Sequence, residues 1–118
     1  MPKSKPPAGI PLPRKITDLL SERKADDILV LDFSRHSYFT DRVVIATALS
    51  TGHLASLQSE VTDLLDREHT RVISASRSAE SGWTVVDAGE VVVHLFLKET
   101  RSFYRLEDLW GDVKRTRA

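Results

Sequence analysis

The 118-residue chain contains no cysteine. That excludes disulfide staples and thiolate metal sites, and it fits a reducing cytosol. No apolar run approaches the roughly 18 residues that a membrane span needs. The opening MPKSKPPAGIPLPRK lacks the apolar stretch of a secretory signal. A cytoplasmic protein without a membrane anchor is therefore expected. Glycine is scarce, with five residues at 9, 52, 82, 89 and 111. None has the spacing of a loop that cradles a phosphate. The four histidines, 36, 53, 69 and 94, form neither HxH nor HxxxH. No metal ion and no cofactor is expected.

The net charge of zero hides an uneven layout. Residues 1–15 carry Lys3, Lys5, Arg14 and Lys15 and no acid, and residues 113–118 carry Lys114, Arg115 and Arg117 and no acid. All 17 acids fall within 16–112, against ten lysines and arginines there, which makes the body about −7 by count. Basic ends on an acidic body suit peripheral RNA phosphate contacts by the ends and a basic protein partner for the body. The plainer alternative is that the ends only solubilise the chain. All five prolines lie in residues 1–13, which reads as an extended arm. The domain is placed at 14–112, followed by a basic tail at 113–118.

Hydrophobic periodicity sketches the rest. KITDLLSERKADD reads as a short helix with Ile16, Leu19 and Leu20 on one face. DILVLDF is a continuous apolar run of the kind buried on both faces of a sheet. RVVIATA is a β-branched strand. Ser50 has the chemistry of an N-cap for a helix to about Glu68, with Leu54, Leu57, Val61, Leu64 and Leu65 at helical spacing. TRVISAS, WTVVD and VVVHLFL read as three more strands, the last two joined by a tight turn at Ala88-Gly89. RSFYRLEDLW reads as a final helix that packs Phe103, Leu106 and Trp110 on the sheet. The order α-β-β-α-β-β-β-α implies a single α/β domain around a mixed sheet of about five strands flanked by helices.

Catalytic machinery is hard to assemble. Asp32 and Asp41 flank strands and have the chemistry to hold a metal, but caps of loop N–H groups have the same signature. Ser34 and Ser50 sit in no nucleophile elbow. His94 interrupts VVVHLFL; strict alternation puts it with Val92 and Phe96, opposite Val91, Val93, Leu95 and Leu97. A structural or interface histidine fits that position better than a base. A nucleotide-binding or nucleotidyl-transferring enzyme using Asp32, Asp41 and His94 stands as the alternative function, and an RNA-binding module led by the basic ends as another.

The C-terminal third gathers Trp83, Phe96, Phe103, Tyr104 and Trp110 among charged residues. Trp, Tyr and Arg are the residue types that carry binding energy when desolvated in an interface. Tyr104, Arg105 and Asp108 are expected to face solvent or a partner.

Three stretches, LDFSRHSYFTDRVVIAT, GWTVVDAGEVVVHLF and RSFYRLEDLWGD, resemble the ribosomal silencing factor family, also called the Iojap family. The likeness covers about residues 16–112. It implies a core similar to nucleotidyltransferases without their catalytic motif, and no enzymatic activity. It implies binding to the large ribosomal subunit through the ribosomal protein L-fourteen, with the small subunit sterically blocked and translation repressed under nutrient limitation. It also implies a homodimer off the ribosome. Carried onto this sequence, the partner-binding set is Trp83, Asp87, His94, Arg101, Tyr104, Leu106, Glu107 and Trp110. Tyr104 and Trp110 are the expected apolar anchors; Asp87, Arg101 and Glu107 are the expected charges.

Overall fold

Prolines at 11 and 13 set where the first helix starts. A proline in the first turn loses nothing, because its missing N–H would have no helical partner. Helix α1 accordingly runs Leu12–Glu22 and buries Ile16, Leu19 and Leu20. It begins and ends earlier than its sequence pattern suggests. Lys24 takes a positive φ of 69°, and the bonds Lys24 N to Ser21 O and Ala25 N to Leu20 O close the helix end. The structure is a computed structural model that describes residues 10–34, 40–76, 79–110 and 113–117. Residues 1–9 of the arm read at 1–13 lie outside them, as does His36, while Leu12 and Pro13 of that arm belong to α1.

Helix α2 spans Thr51–Arg67, and Ser50 Oγ accepts from His53 N, as the N-cap reading expects. The His53 ring fastens the two helices: Nδ1 accepts from Leu49 N, and Nε2 lies 2.7 Å from Arg23 O. His69 ends α2 at φ 56°, with Thr70 N bonded to Leu65 O. Two of the four histidines thus have local structural roles.

The strands are β1 (Asp26–Asp32), β2 (Arg42–Ala48), β3 (Ser74–Ala75), β4 (Trp83–Asp87), β5 (Val91–Leu97) and β6 (Lys114–Arg117). They form one sheet in the order β3-β4-β5-β2-β1-β6. Among the described residues only β2 and β5 run parallel; the other pairs are antiparallel. The sixth strand comes from a segment read as a basic tail. KRTR has no apolar alternation to reveal a strand, yet β1 offers it an open row of backbone groups, and residues 114–117 pair with 29–32. TRVISAS, by contrast, keeps only Ser74–Ala75 in the ladder, opposite Asp87 and Val86.

Each face of the sheet has its own core. On one face, Ile16 and Leu20 of α1 and Leu54, Leu57, Val61 and Leu65 of α2 close on Val44, Ala46, Val93 and Leu95. On the other, Leu29, Leu31, Val43, Ile45, Val92 and Phe96 are buried with Phe33 and Val113, and Leu106 packs partly buried against them. The expected alternation along β5 holds.

The C-terminal segment departs from its reading. A helix, α3, covers only Lys98–Tyr104; Arg105 then turns left-handed at φ 48°, and Leu106–Trp110 continue as 3-10 turns. The expected face Phe103–Leu106–Trp110 needs a continuous helix. Leu106 does pack on the sheet, whereas Phe103 is 79% exposed. Phe103 therefore does not seal the core.

Candidate functional site

The β4–β5 hairpin sets the register of the site. Asp87 ends β4 and its Oδ1 accepts from Gly89 N at 2.8 Å, while Gly89 takes φ 86°. Such a turn favours glycine because the left-handed region penalises a Cβ. The pairing then aligns Trp83 with Phe96, Val85 with His94 and Asp87 with Val92. These side chains share the face away from α1 and α2.

On that face the rings form a contiguous cluster. Trp83 stacks on Phe96 with centroids 5.0 Å apart, and Tyr104 from the end of α3 tilts over the same indole at 5.0 Å. Phe103 meets Tyr104 edge-on at 5.0 Å. Trp83 Nε1 donates to His94 Nδ1 at 3.1 Å. That bond needs an imidazole with a free lone pair, so it fits the neutral ring. Burial pushes the His94 pKa down to about 4, against a weaker upward pull from Asp87. His94 is thus a neutral acceptor that orients the indole. It is poorly placed as a base, since its Nδ1 is engaged.

The cluster is apolar at its root and open at its tip. Trp83 and His94 are half-buried, Tyr104 is 53% exposed, and Leu109 in the next turn is 69% exposed. Large apolar side chains gathered at a surface are the mark of an interaction site. Phe103 and Leu109 were missed by the sequence reading. Phe103 reads as a packing residue beside Leu106 and Trp110, but within α3 it lies two positions from the buried Arg101, about 200° round the helix.

Arg101 needs correcting in role. It is expected to offer charge to a partner, but it is 6% exposed. Its Nη1 donates to Asp27 O at 2.5 Å and to Thr47 Oγ1 at 2.8 Å, and Nη2 lies 3.5 Å from the Asp27 carboxylate. A guanidinium turned inward in this way ties α3 to β1 and β2 and supports the surface from beneath. Asp87 is likewise engaged by its own turn, and Leu106, like Trp83 and Val85, is partly buried against the core of that face. The side chains of Glu107 and Trp110 lie outside the described residues.

The residues of the enzyme alternative do not converge. Asp32 accepts from Ser34 N and Oγ at 2.9 and 2.6 Å and pairs with Arg42 at 3.1 Å. The Ser34 bonds, chiefly its hydroxyl's, and the charges of Arg42 and Lys114 lower its pKa. It caps the loop after β1. Asp32 is level with Arg42, and His94 with Ile45 three positions along β2. Strand alternation puts the two on opposite faces of the sheet. Among the described residues, no group of three His, Asp or Glu is placed to hold a metal ion.

The chain matches the family model "Ribosomal silencing factor during starvation" over residues 7–118. The chain belongs to the ribosomal silencing factor family. It is 37% identical over 92 residues to the Bacillus subtilis protein named Ribosomal silencing factor RsfS, covering 78% of each chain. It is 39% identical over 93 residues to Protein Iojap, chloroplastic, of Zea mays, covering 79% of this chain and 40% of the maize protein. A crystal structure of a Chromobacterium violaceum protein superposes with a TM-score of 0.79 at 31% identity, covering 91% of this chain and 89% of that one. The mixed sheet with its flanking helices is thus the fold of this silencing-factor family.

Proposed function

We propose that this chain is a ribosomal silencing factor that acts by occupying a surface, without chemistry. It docks on the large ribosomal subunit through the ribosomal protein L-fourteen, blocks joining of the small subunit, and so represses translation when nutrients are scarce. The observation that carries this reading is the ring cluster Trp83–Tyr104–Phe103, rooted in the sheet and open at its tip. Its half-buried base holds the rings rigid before binding, which lowers the entropic cost of association. Tyr104 is the apolar anchor within the described residues, and Trp110 is proposed as the second. Asp87 and Glu107 supply charge for a basic partner, which acts on specificity and on-rate more than on affinity. Trp83, His94, Leu106 and Arg101 hold the surface in shape.

The protein works in the cytoplasm and pairs as a homodimer off the ribosome. Its basic ends add salt-sensitive rRNA contacts at the periphery. The test is co-sedimentation of purified protein with separated ribosomal subunits, followed by a subunit-joining assay. Stoichiometric binding to the large subunit alone, with joining lost, is the expected result. Binding to neither subunit would overturn the proposal.

A further inference from the structure

We propose that a cleft at the carboxyl ends of β2 and β5 is a binding site for a small phosphate-bearing ligand. The cleft has a volume of about 340 Å³ and is lined by Asp26, Asp27, Thr47, Lys98, Arg101 and Ser102, with Arg105 at its edge. A second hollow of about 400 Å³ shares Asp26, Thr47 and Lys98 with it and extends past Ser50 and Thr51. Neither hollow is lined by a residue of the ring cluster.

Topology makes this end of the sheet a natural crevice. β2 and β5 are the parallel pair, ending at Ala48 and Leu97. From Ala48 the chain turns into α2, which packs on one face; from Leu97 it enters α3 and reaches Leu106, which packs on the other. Where the connections of neighbouring parallel strands diverge to opposite faces, a crevice opens outside the strand ends, and open α/β sheets bind ligands there.

The floor of the cleft is built around a buried cation. Arg101 is 6% exposed and fixed by Asp27 O and Thr47 Oγ1. Asp27 takes φ 47° within an irregular stretch of β1 between Asp26 and Leu29. Bulges of this kind re-aim a residue beside a site, and a left-handed non-glycine residue persists only where its surroundings hold it. The Asp27 carboxylate is shared by two arginines, Arg101 from α3 and Arg117 from β6. Of the lining residues, Lys98, Arg101 and Arg105 are cations and Asp26 and Asp27 are acids, a small excess of positive charge. Lys98 adds a flexible ammonium, and Ser102 a hydroxyl, both exposed at the rim. Asp26 is the opposing charge at the mouth, and Arg105 is paired with Asp108 at 2.8 Å. A metal cation would meet Lys98 and Arg101 at close quarters. A phosphate meets the exposed ammonium of Lys98 and the hydroxyl of Ser102 above the buried Arg101, and charge-assisted hydrogen bonds favour such a ligand.

The test uses the purified full chain without ribosomes, so its outcome is independent of the silencing reading. Calorimetric titration and thermal shift are run with inorganic phosphate, pyrophosphate, a nucleoside diphosphate and a short single-stranded RNA. Saturable binding of at least one of the three small probes is expected, with a rise in melting temperature that grows with ligand concentration. Lys98→Ala should weaken it at least about fivefold by removing a charge-assisted bond. Asp26→Asn should tighten it about twofold by removing a like charge from the mouth. Lys98 and Asp26 are surface residues, and unchanged melting of the unliganded variants confirms that they fold. No binding of the small probes, binding of the RNA alone, or binding that both variants leave untouched would overturn the proposal.

Discussion

The two faces of the sheet are made of different material. The face under α1 and α2 closes on leucine, valine, isoleucine and alanine, and its helices bring no buried charge to it. The other face is aliphatic along β1 and β2 but becomes aromatic at β4 and β5, where Trp83, His94 and Phe96 stand under Tyr104. Arg101 is buried at the rim of that side. The first face can only stabilise. The second spends part of its apolar surface outside the fold, which stability alone does not ask for. Unequal faces of this kind separate the residues that keep a protein folded from those that let it meet something else.

Substitutions can break that separation. The largest effect is expected on the helix-covered face: Leu57→Ala should lower stability by about 2–5 kcal/mol through lost burial and a cavity. Urea unfolding would measure it, and the bound state of any surviving folded protein should be normal. Next comes Tyr104→Ala, which should cost roughly 2 kcal/mol or more of large-subunit binding if the ring is a hot spot. Unfolding stability should change much less, because the ring is half in solvent. Binding within twofold of wild type would remove Tyr104 from the docking surface.

His94 sharpens the comparison through pH. Its folded pKa is about 4, against an ordinary 6.5. Above pH 6.5 both states are neutral there, and the group costs nothing. As pH falls from 6.5 towards 4, the unfolded chain takes up a proton that the folded ring refuses, so stability is lost; below 4 the loss levels off. Allowing for the partial exposure of the ring, the loss is on the order of 2 kcal/mol. Urea midpoints at pH 7 and pH 4.5, compared with those of His94→Gln, would isolate it; an identical pH slope in the variant would refute the assignment. The smallest effect is expected at Phe103. Because it is exposed, Phe103→Ser should shift stability by no more than about 0.5 kcal/mol. A loss of several times that in unfolding experiments would mean that the ring packs on the sheet after all.

Much of the architecture was legible because it follows periodicity. The alternation of VVVHLFL placed His94 with Phe96, and the 3.6-residue spacing after Ser50 placed the buried face of α2. What escaped had no periodic signal. The strand Lys114–Arg117 is polar throughout, and its pairing depends on β1 having an open edge. The inward turn of Arg101 depends on a bulge at Asp27, 74 residues away in the chain. The end of α3 depends on one left-handed residue, Arg105, for which no glycine or asparagine gives notice, and the exposure of Phe103 on Arg101 being the residue that α3 buries.

The sequence by itself therefore determined the α/β class, the main strands and helices, and, through its aromatic and charged motifs, the family. Local spacing and side-chain chemistry are enough for those. Only the tertiary structure decided which rings are exposed and which are core, that Arg101 is buried against Asp27 and Thr47, and that cations and hydroxyls from β2 and α3 share a cleft with the start of β1. Those outcomes rest on contacts between distant segments, where burial and charge pairing depend on the neighbours that folding supplies.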